Sequence, residues 1–402
     1  MGVAHLIQGS VFQQGERIRV IVSLIRTKDG SNVWSHSYDE QLKDVFAIQS
    51  QIGQAVAAVL KIKLLGKAIV SDDKPPNGNV EAYRLMLQGR ALARNNTDAG
   101  FRQGIVLLKQ ALKFDPNYAY AWSVLSNASV NLGQDLTGDA QQQAYTQARV
   151  AAHHAQELAP NAAVSHFVRG YLLGVVDEDV VGALAEFKWA LALAPNDGNT
   201  MSFLAGGLAN AGQLQPAAEL MRKAIATDPL RADWYANLGT TLLGEHQLDG
   251  AEQATRKALA LQPDFPGLYT TLVQIAILRG NVAAALRDAQ KETDPVYGPW
   301  ARVLAKQVGP DRKQADAALQ GYIARNGKTQ PYLVADLYAL RKQSKKMFDW
   351  LERAWKQHDP NFITSLLSDP FVLAYQHDSR FVALCKQAGL PLPGQPLPAT
   401  AP

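Results

Sequence analysis

The 402-residue sequence predicts a mainly α chain: helix pairs stacked into a solenoid, preceded by a small, incomplete α+β domain. Three observations predict it. Prolines recur at 116, 160, 195, 229, 263 and 295, with spacings of 44, 35, 34, 34 and 32 residues. Two columns of small residues are locked to the first five: Ala111, Ala155, Ala190, Ala224 and Ala258 stand five before, and Gly104, Ala148, Ala183, Ala217 and Ala251 twelve before. Residues 5–39 instead show β-branched, alternating apolar runs.

The array is argued first, because a period of this length decides the architecture. Proline lacks an N–H and pushes the preceding residue out of helical geometry, so each proline is expected to end a helix. Small residues seven apart share one helical face and let a neighbouring helix approach closely. Between them stand bulkier residues, Leu108, Phe187 and Met221. A partner helix is expected upstream of each, with Trp122/Leu125, Leu204/Leu208, Tyr235/Leu238/Leu242 and Tyr269/Leu272 at helical spacing. Gly212, Gly244 and Gly280 are expected at the turns inside the pairs. The 44-residue interval implies an insertion around 133–143.

The stretch ADWYANLGTTLLGEHQLDGAEQATRKALALQP (232–263) carries Tyr235, Leu238, Gly239, Ala251, Ala258 and Pro263 at the spacing of the tetratricopeptide repeat, which it resembles. Residues 198–229 are nearly as similar, and 185–195 matches the second helix. The resemblance covers 81–295. It implies an extended concave surface, lined by the first helix of each pair, that binds a peptide or a protein. By phase, the concave face carries Tyr120, Ser123, Asn127, Asn199, Ser202, Asn210, Asp233, Thr240, Thr270 and Gln274. Some domains of this family grip a terminal carboxylate with Lys, Arg and Asn; the cations of that clamp are missing from these positions.

Residues 1–66 read as three strands and a helix. HLIQGSVFQQ (5–14) and RIRVIVSLIRT (17–27) flank a Gly-containing turn, and KDGSNVWSHSYD (28–39) gives a second turn and a third strand. Val45, Ile48, Ile52, Val56, Val59 and Leu60 then recur at helical spacing. LIQGSV (6–11), VWSHSYD (33–39) and KDVFAIQSQIGQAV (43–56) resemble the second half of the TolB-like amino-terminal domain of bacterial regulators. The first strand and helix of that domain are absent here, so a sheet edge is expected to be open for homodimerisation or completion in trans. In such regulators the TolB-like unit and its repeats accompany a winged-helix, nucleotide cyclase or kinase module.

Residues 67–80 read as a linker, with Pro75–Pro76 and the surface carboxylates Asp72 and Asp73. Residues 296–388 continue as degenerate repeat-like helices closed by Asp–Pro turns and a last helix, a terminal cap. The Pro-rich 389–402 is expected to be disordered.

Composition excludes several functions. A net charge of +4, with RKQSKKM (341–347) as the one basic cluster, argues for no direct nucleic-acid partner; that cluster reads as a solvated helix end. Cys385 stands alone, which rules out an internal disulfide, and reads as a buried thiol. His153, His154 and Glu157 lack the spacing of a metal motif and read as helix surface. Trp122, Trp189, Trp234, Trp300, Trp350 and Trp355 read as core. No phosphate loop, catalytic pair, cofactor motif or metal site is legible, so a non-enzymatic interaction scaffold is expected, without cofactor. The alternative is the C-terminal part of a regulator or nucleotide cyclase whose effector is encoded upstream. With no signal peptide or membrane span, the expected compartment is the cytoplasm, or the periplasm if a longer N-terminus exists.

Overall fold

The computed structural model describes residues 4–60, 73–94 and 97–392. It has two compact units, Met1–Val168 and Arg169–Pro402. The fold is a tetratricopeptide-type α-solenoid preceded by a small α+β element.

The first unit opens with an antiparallel sheet of order β1-β2-β3, made of β1 (His5–Gln14), β2 (Arg17–Arg26) and β3 (Asn32–Gln41). Gln14 pairs with Arg17, so Gly15 and Glu16 make a two-residue turn, and Gly15 supplies the positive φ of 60°. Helix α1 (Val45–Val59) covers one face, burying Ile18, Tyr38 and Ile48 together. β1 has no second strand neighbour among the described residues.

Helices α2 (Val80–Ala93), α3 (Asp98–Phe114), α4 (Ala119–Gln134), α5 (Gly138–Leu158) and α6 (Ala163–Val175) follow, with α2 paired to α3 and α4 to α5. Their core holds Met86, Phe101, Leu108 and Leu125. The extra residues around 133–143 lengthen helices rather than a loop: α4 runs to Gln134 and α5 resumes at Gly138 for 21 residues. The expected linker is docked from Asp73 onward. Tyr118 Oη donates to the Asp73 carbonyl, Asn77 N–H donates to Asp115 Oδ2 (3.1 Å), and Asn79 caps α2. Asp72 and the rest of 61–72 lie outside the described residues.

The second unit holds α7 (Val180–Leu193), α8 (Gly198–Asn210), α9 (Leu214–Thr227), α10 (Ala232–Gly244), α11 (Leu248–Leu261), α12 (Leu268–Leu278) and α13 (Val282–Ala289). It continues with α14 (Tyr297–Gln307), α15 (Arg312–Asn326), α16 (Pro331–Leu340), α17 (Ser344–Lys356), α18 (Pro360–Ser365), α19 (Pro370–Leu373) and α20 (Ser379–Gln387). Most of the predicted Pro-rich tail, from 393, lies outside the described residues.

The proline rule holds at five of the six positions; α13 ends at Ala289, well before Pro295. Helices α3, α5, α7, α9 and α11 each stop two residues before their proline. The intervening residue is turned out of the helix, for example Asp115 at φ −142°, ψ 92° and Gln262 at φ −144°, ψ 94°. All five alanines of the nearer column are fully buried. In the farther column, a Cβ on Gly104 would lie 2.6 Å from Gly89 O, so glycine is what lets α3 reach α2.

Three expectations need correction. Gly212 and Gly280 make turns at φ 73° and 71°, but Gly244 ends α10 and the turn beyond it uses His246 at φ 57°. Of the tryptophans, Trp234 and Trp300 are core; Trp122, Trp350 and Trp355 are half-buried and Trp189 is exposed. Arg341 is not solvated: its side chain is 6% exposed and pairs with Asp316. Cys385 is buried, and burial pushes its thiol up to about 12. His153 and His154 sit on the surface of α5, both beside Glu157.

Candidate functional site

Helices α12 and α16 are built differently from an outer repeat helix. Leu268 to Ala276 are almost all buried, and so are Pro331 to Ala339. A helix apolar all round must be covered on every side. The cover over the first-helix face of this unit is the C-terminal segment 358–373, which carries α18 and α19. Helix α18 packs on α8 and α16, and α19 packs on α10 and α16. Phe362, Leu366 and Leu367 are buried there.

The backbone approach is close. A Cβ on Gly244 would lie 2.4 Å from Ser368 O, and one on Gly212 would lie 3.4 Å from the Leu367 side chain. Asn210 turns its amide nitrogen toward Thr364 O at 3.1 Å. At the start of the segment, His358 Nδ1 meets Glu178 Oε2 at 3.3 Å.

The Asp–Pro turns seat this segment. In each, aspartate caps the helix and proline occupies its first position, where no N–H is needed. Asp359 accepts from Asn361 N–H (2.9 Å) and from Tyr332 N–H (2.9 Å), so one carboxylate caps α18 and α16 together. Asp369 accepts from Phe371 N–H (2.9 Å), Val372 N–H (3.2 Å) and Tyr332 Oη (3.2 Å).

Between this segment and the helices lies a cavity of ≈ 290 Å³. Asn237 and Thr240 of α10, Thr270 and Gln274 of α12, Tyr297 and Trp300 of α14, and Tyr332 of α16 line one side. Asn361, Thr364, Ser365, Ser368 and Asp369 line the other. No Lys, Arg or His lines it among the described residues. Gln274, on the cavity wall, is 9% exposed. Trp300 Nε1 is buried and has no hydrogen-bond partner among the described residues.

The ten positions expected on the concave face separate into groups. Thr240, Thr270 and Gln274 come together at the cavity. Asn210 is engaged by the C-terminal segment. Ser123 and Ser202 are buried rather than surface-lining, and Ser123 Oγ returns its proton to Ala119 O of its own helix (3.1 Å). Thr270 is buried as well; its N–H donates to Glu292 Oε2 (3.3 Å). Asn199 and Asp233 both hold Arg231, at 3.1 and 2.6 Å. In the first unit, Tyr120 Oη accepts from Arg90 (2.7 Å) and Asn127 Oδ1 accepts from Asn131 (3.1 Å).

Asp336 escaped the sequence reading. Its signal was present: one carboxylate inside the apolar run YLVADLYAL. It is fully buried, and neither oxygen has a donor. It lies within hydrogen-bonding reach of Asp369; burial and that neighbour push its carboxyl well above the usual range. Tyr332 is pushed up by its own burial and by both carboxylates. Among the described residues, no group of His, Cys, Asp and Glu could hold a metal ion.

No protein-family model matches the chain. It is 27% identical over 126 residues to the protein named adenylate cyclase 3 of Rhizobium meliloti, covering 31% of this chain and 22% of that one. It is 26% identical over 154 residues to the transcriptional regulator HilA of Salmonella typhimurium, covering 38% and 28%. The chain thus spans less than a third of the length of either. Among solved structures it is similar to PilW, a type IV pilus biogenesis factor (TM-score 0.43, 20% identity, 53% of this chain and 92% of that one). It is also similar to YrrB, a tetratricopeptide protein with an unusual peptide-binding site (TM-score 0.31, 21% identity, 49% and 91%). A third is the human IFIT1 dimer, solved with m7Gppp-AAAA (TM-score 0.46, 14% identity, 79% and 78%). Among the described residues, no helix is long and apolar enough to cross a membrane.

Proposed function

We propose that this chain is a non-enzymatic interaction scaffold whose cavity holds an extended peptide of a protein partner. The carrying observation is the uncharged polar wall of the cavity, with Gln274, 9% exposed, on one side and Thr364 on the other. An amide offers one acceptor and two donors, which matches the C=O and N–H of a peptide group. Asn237, Thr240 and Thr364 extend the same uncharged lining, and Tyr297 and Trp300 supply apolar walls. The test is selection from a random peptide library on the full chain, followed by anisotropy titration of the selected peptides. Gln274→Leu should weaken binding at least about tenfold, the loss of one well-placed hydrogen bond. Selection of nothing, or binding indifferent to that substitution, sinks the reading.

A second reading concerns β1. Leu6, Ile7, Val11 and Phe12 are 52%, 54%, 63% and 60% exposed on a strand whose outer edge is unpaired among the described residues. Such an edge pairs readily with another strand, so the TolB-like half-domain dimerises or is completed in trans. Light scattering across a concentration series tests this; a strict monomer, unchanged by Phe12→Lys, counts against it. The local similarity to a cyclase and a transcriptional regulator supports placing the chain as the scaffolding arm of such a regulator. Reading the genomic DNA before Met1 for an in-frame effector tests that.

A further inference from the structure

Asp336 and Asp369 face each other across the seam between α16 and the C-terminal segment, and their surroundings differ. Asp369 takes two backbone N–H groups and a tyrosine hydroxyl, which favour its charged form. Asp336 takes none; with both groups ionised its two oxygens are bare acceptors in the protein interior. One arrangement satisfies both: Asp336 keeps its proton and donates it to the Asp369 carboxylate. Because Asp369 belongs to the segment and Asp336 to the array, that proton is a bond between the two.

We propose that segment 358–373 is a proton-latched clasp, closed while Asp336 and Asp369 share one proton and loosened when that proton leaves. On release, Asp336 gives its proton to solvent, and two carboxylates oppose each other where water is scarce. The other ionisable groups bearing on the pair are Tyr322 of α15, Tyr332 of α16 and Asp359 ahead of α18; the indole N–H of Trp300 on α14 faces Asp336 without making a hydrogen bond and opposes its rise. No cationic side chain acts on either carboxyl among the described residues. Desolvation and the neighbouring carboxylate both raise Asp336, so the sign is fixed. The closed state binds a proton that the open state, with ordinary carboxyls, has lost. Closure is therefore strongest in acid and weakens as pH rises towards the closed-state value, by up to about tenfold in the opening constant per pH unit.

Opening would uncover the cavity wall formed by Asn361, Thr364 and Ser368; its use to control occupancy rests on the peptide reading above, but the latch itself does not. His358 of the same segment also meets Glu178, so the test is made in a His358→Gln background. Hydrogen exchange of the full chain is followed from about pH 5 to about pH 9, corrected for chemical exchange rates. The amides of Tyr332, Phe371 and Val372 report the clasp; those of α4 serve as control. The expected result is a clasp opening constant that rises by up to about tenfold per pH unit, against a flat profile when Asp336→Asn is added. If that variant does not fold, Asp369→Asn leaves Asp336 to titrate but takes away the neighbouring carboxylate that raises it; it keeps a good helix cap and should lessen the slope. A flat profile in the parent, or an equal slope with either asparagine, overturns the latch whatever the cavity binds.

Discussion

Helix α4 of the first unit and the cavity region of the second both bury polar side chains, and they treat them in opposite ways. In α4, Ser123 and Ser129 return their hydroxyl protons to carbonyls of their own helix, and Ser126 reaches Ala148 O at 2.8 Å. Ser129 accepts from Gln147 as well (2.7 Å). Around the cavity, Trp300 Nε1 and both oxygens of Asp336 are left without a partner. Buried polar groups in native proteins are nearly always paired, so the exceptions mark where something is yet to bind or a proton is yet to be placed.

The largest expected effect tests whether the C-terminal segment is integral to the second unit. Phe362→Ala removes a ring that is 1% exposed and should cost about 3–5 kcal/mol, as a core truncation does. Urea denaturation read through tryptophan fluorescence measures it; a loss near zero would mean the segment merely rests on the array. Next, Gly244→Ala forces a methyl against Ser368 O and should cost about 1–3 kcal/mol by overpacking, with exchange rising first in 358–373. Uniform loss of protection across the unit would show instead that α10 itself was damaged.

The comparison is sharpest in a matched pair. Ser126→Ala removes the hydroxyl's bond to the Ala148 carbonyl and should destabilise by about 1 kcal/mol. Gln274→Leu replaces a residue of the cavity wall and should be neutral within about 0.5 kcal/mol. Equal losses would mean that Gln274 is satisfied inside the free protein. The smallest effect is a control: Gly206→Ala in α8 meets open space and should stabilise by about 0.5–1 kcal/mol through helix propensity alone. A loss there would reveal a close neighbour of α8 that the described residues do not show.

Much of the architecture was legible because it rests on local chemistry. Prolines stop helices through their own ring, and alanines seven apart face one neighbour whatever lies beyond. Gly244 illustrates the limit. Its place before a turn suggested a turn residue, yet the glycine is required by Ser368, more than a hundred residues later in the chain. Thr240, Thr270 and Gln274 were legible as a set, since helical phase puts them on first helices. That Thr270 and Gln274 are buried was not, because phase shows which way a side chain points and not what covers it.

The sequence by itself determined the repeat, its helix ends, the close-packed alanine face, the three-stranded start and the Asp–Pro caps. Each follows from interactions within about one helical turn or one strand pair. Only the tertiary structure decided that residues 358–373 fold back over the first-helix face, that Asp336 meets Asp369, and that a polar cavity lies between that segment and the array. Such pairings join residues far apart in the chain, and their energy depends on burial, which no local pattern of residues encodes.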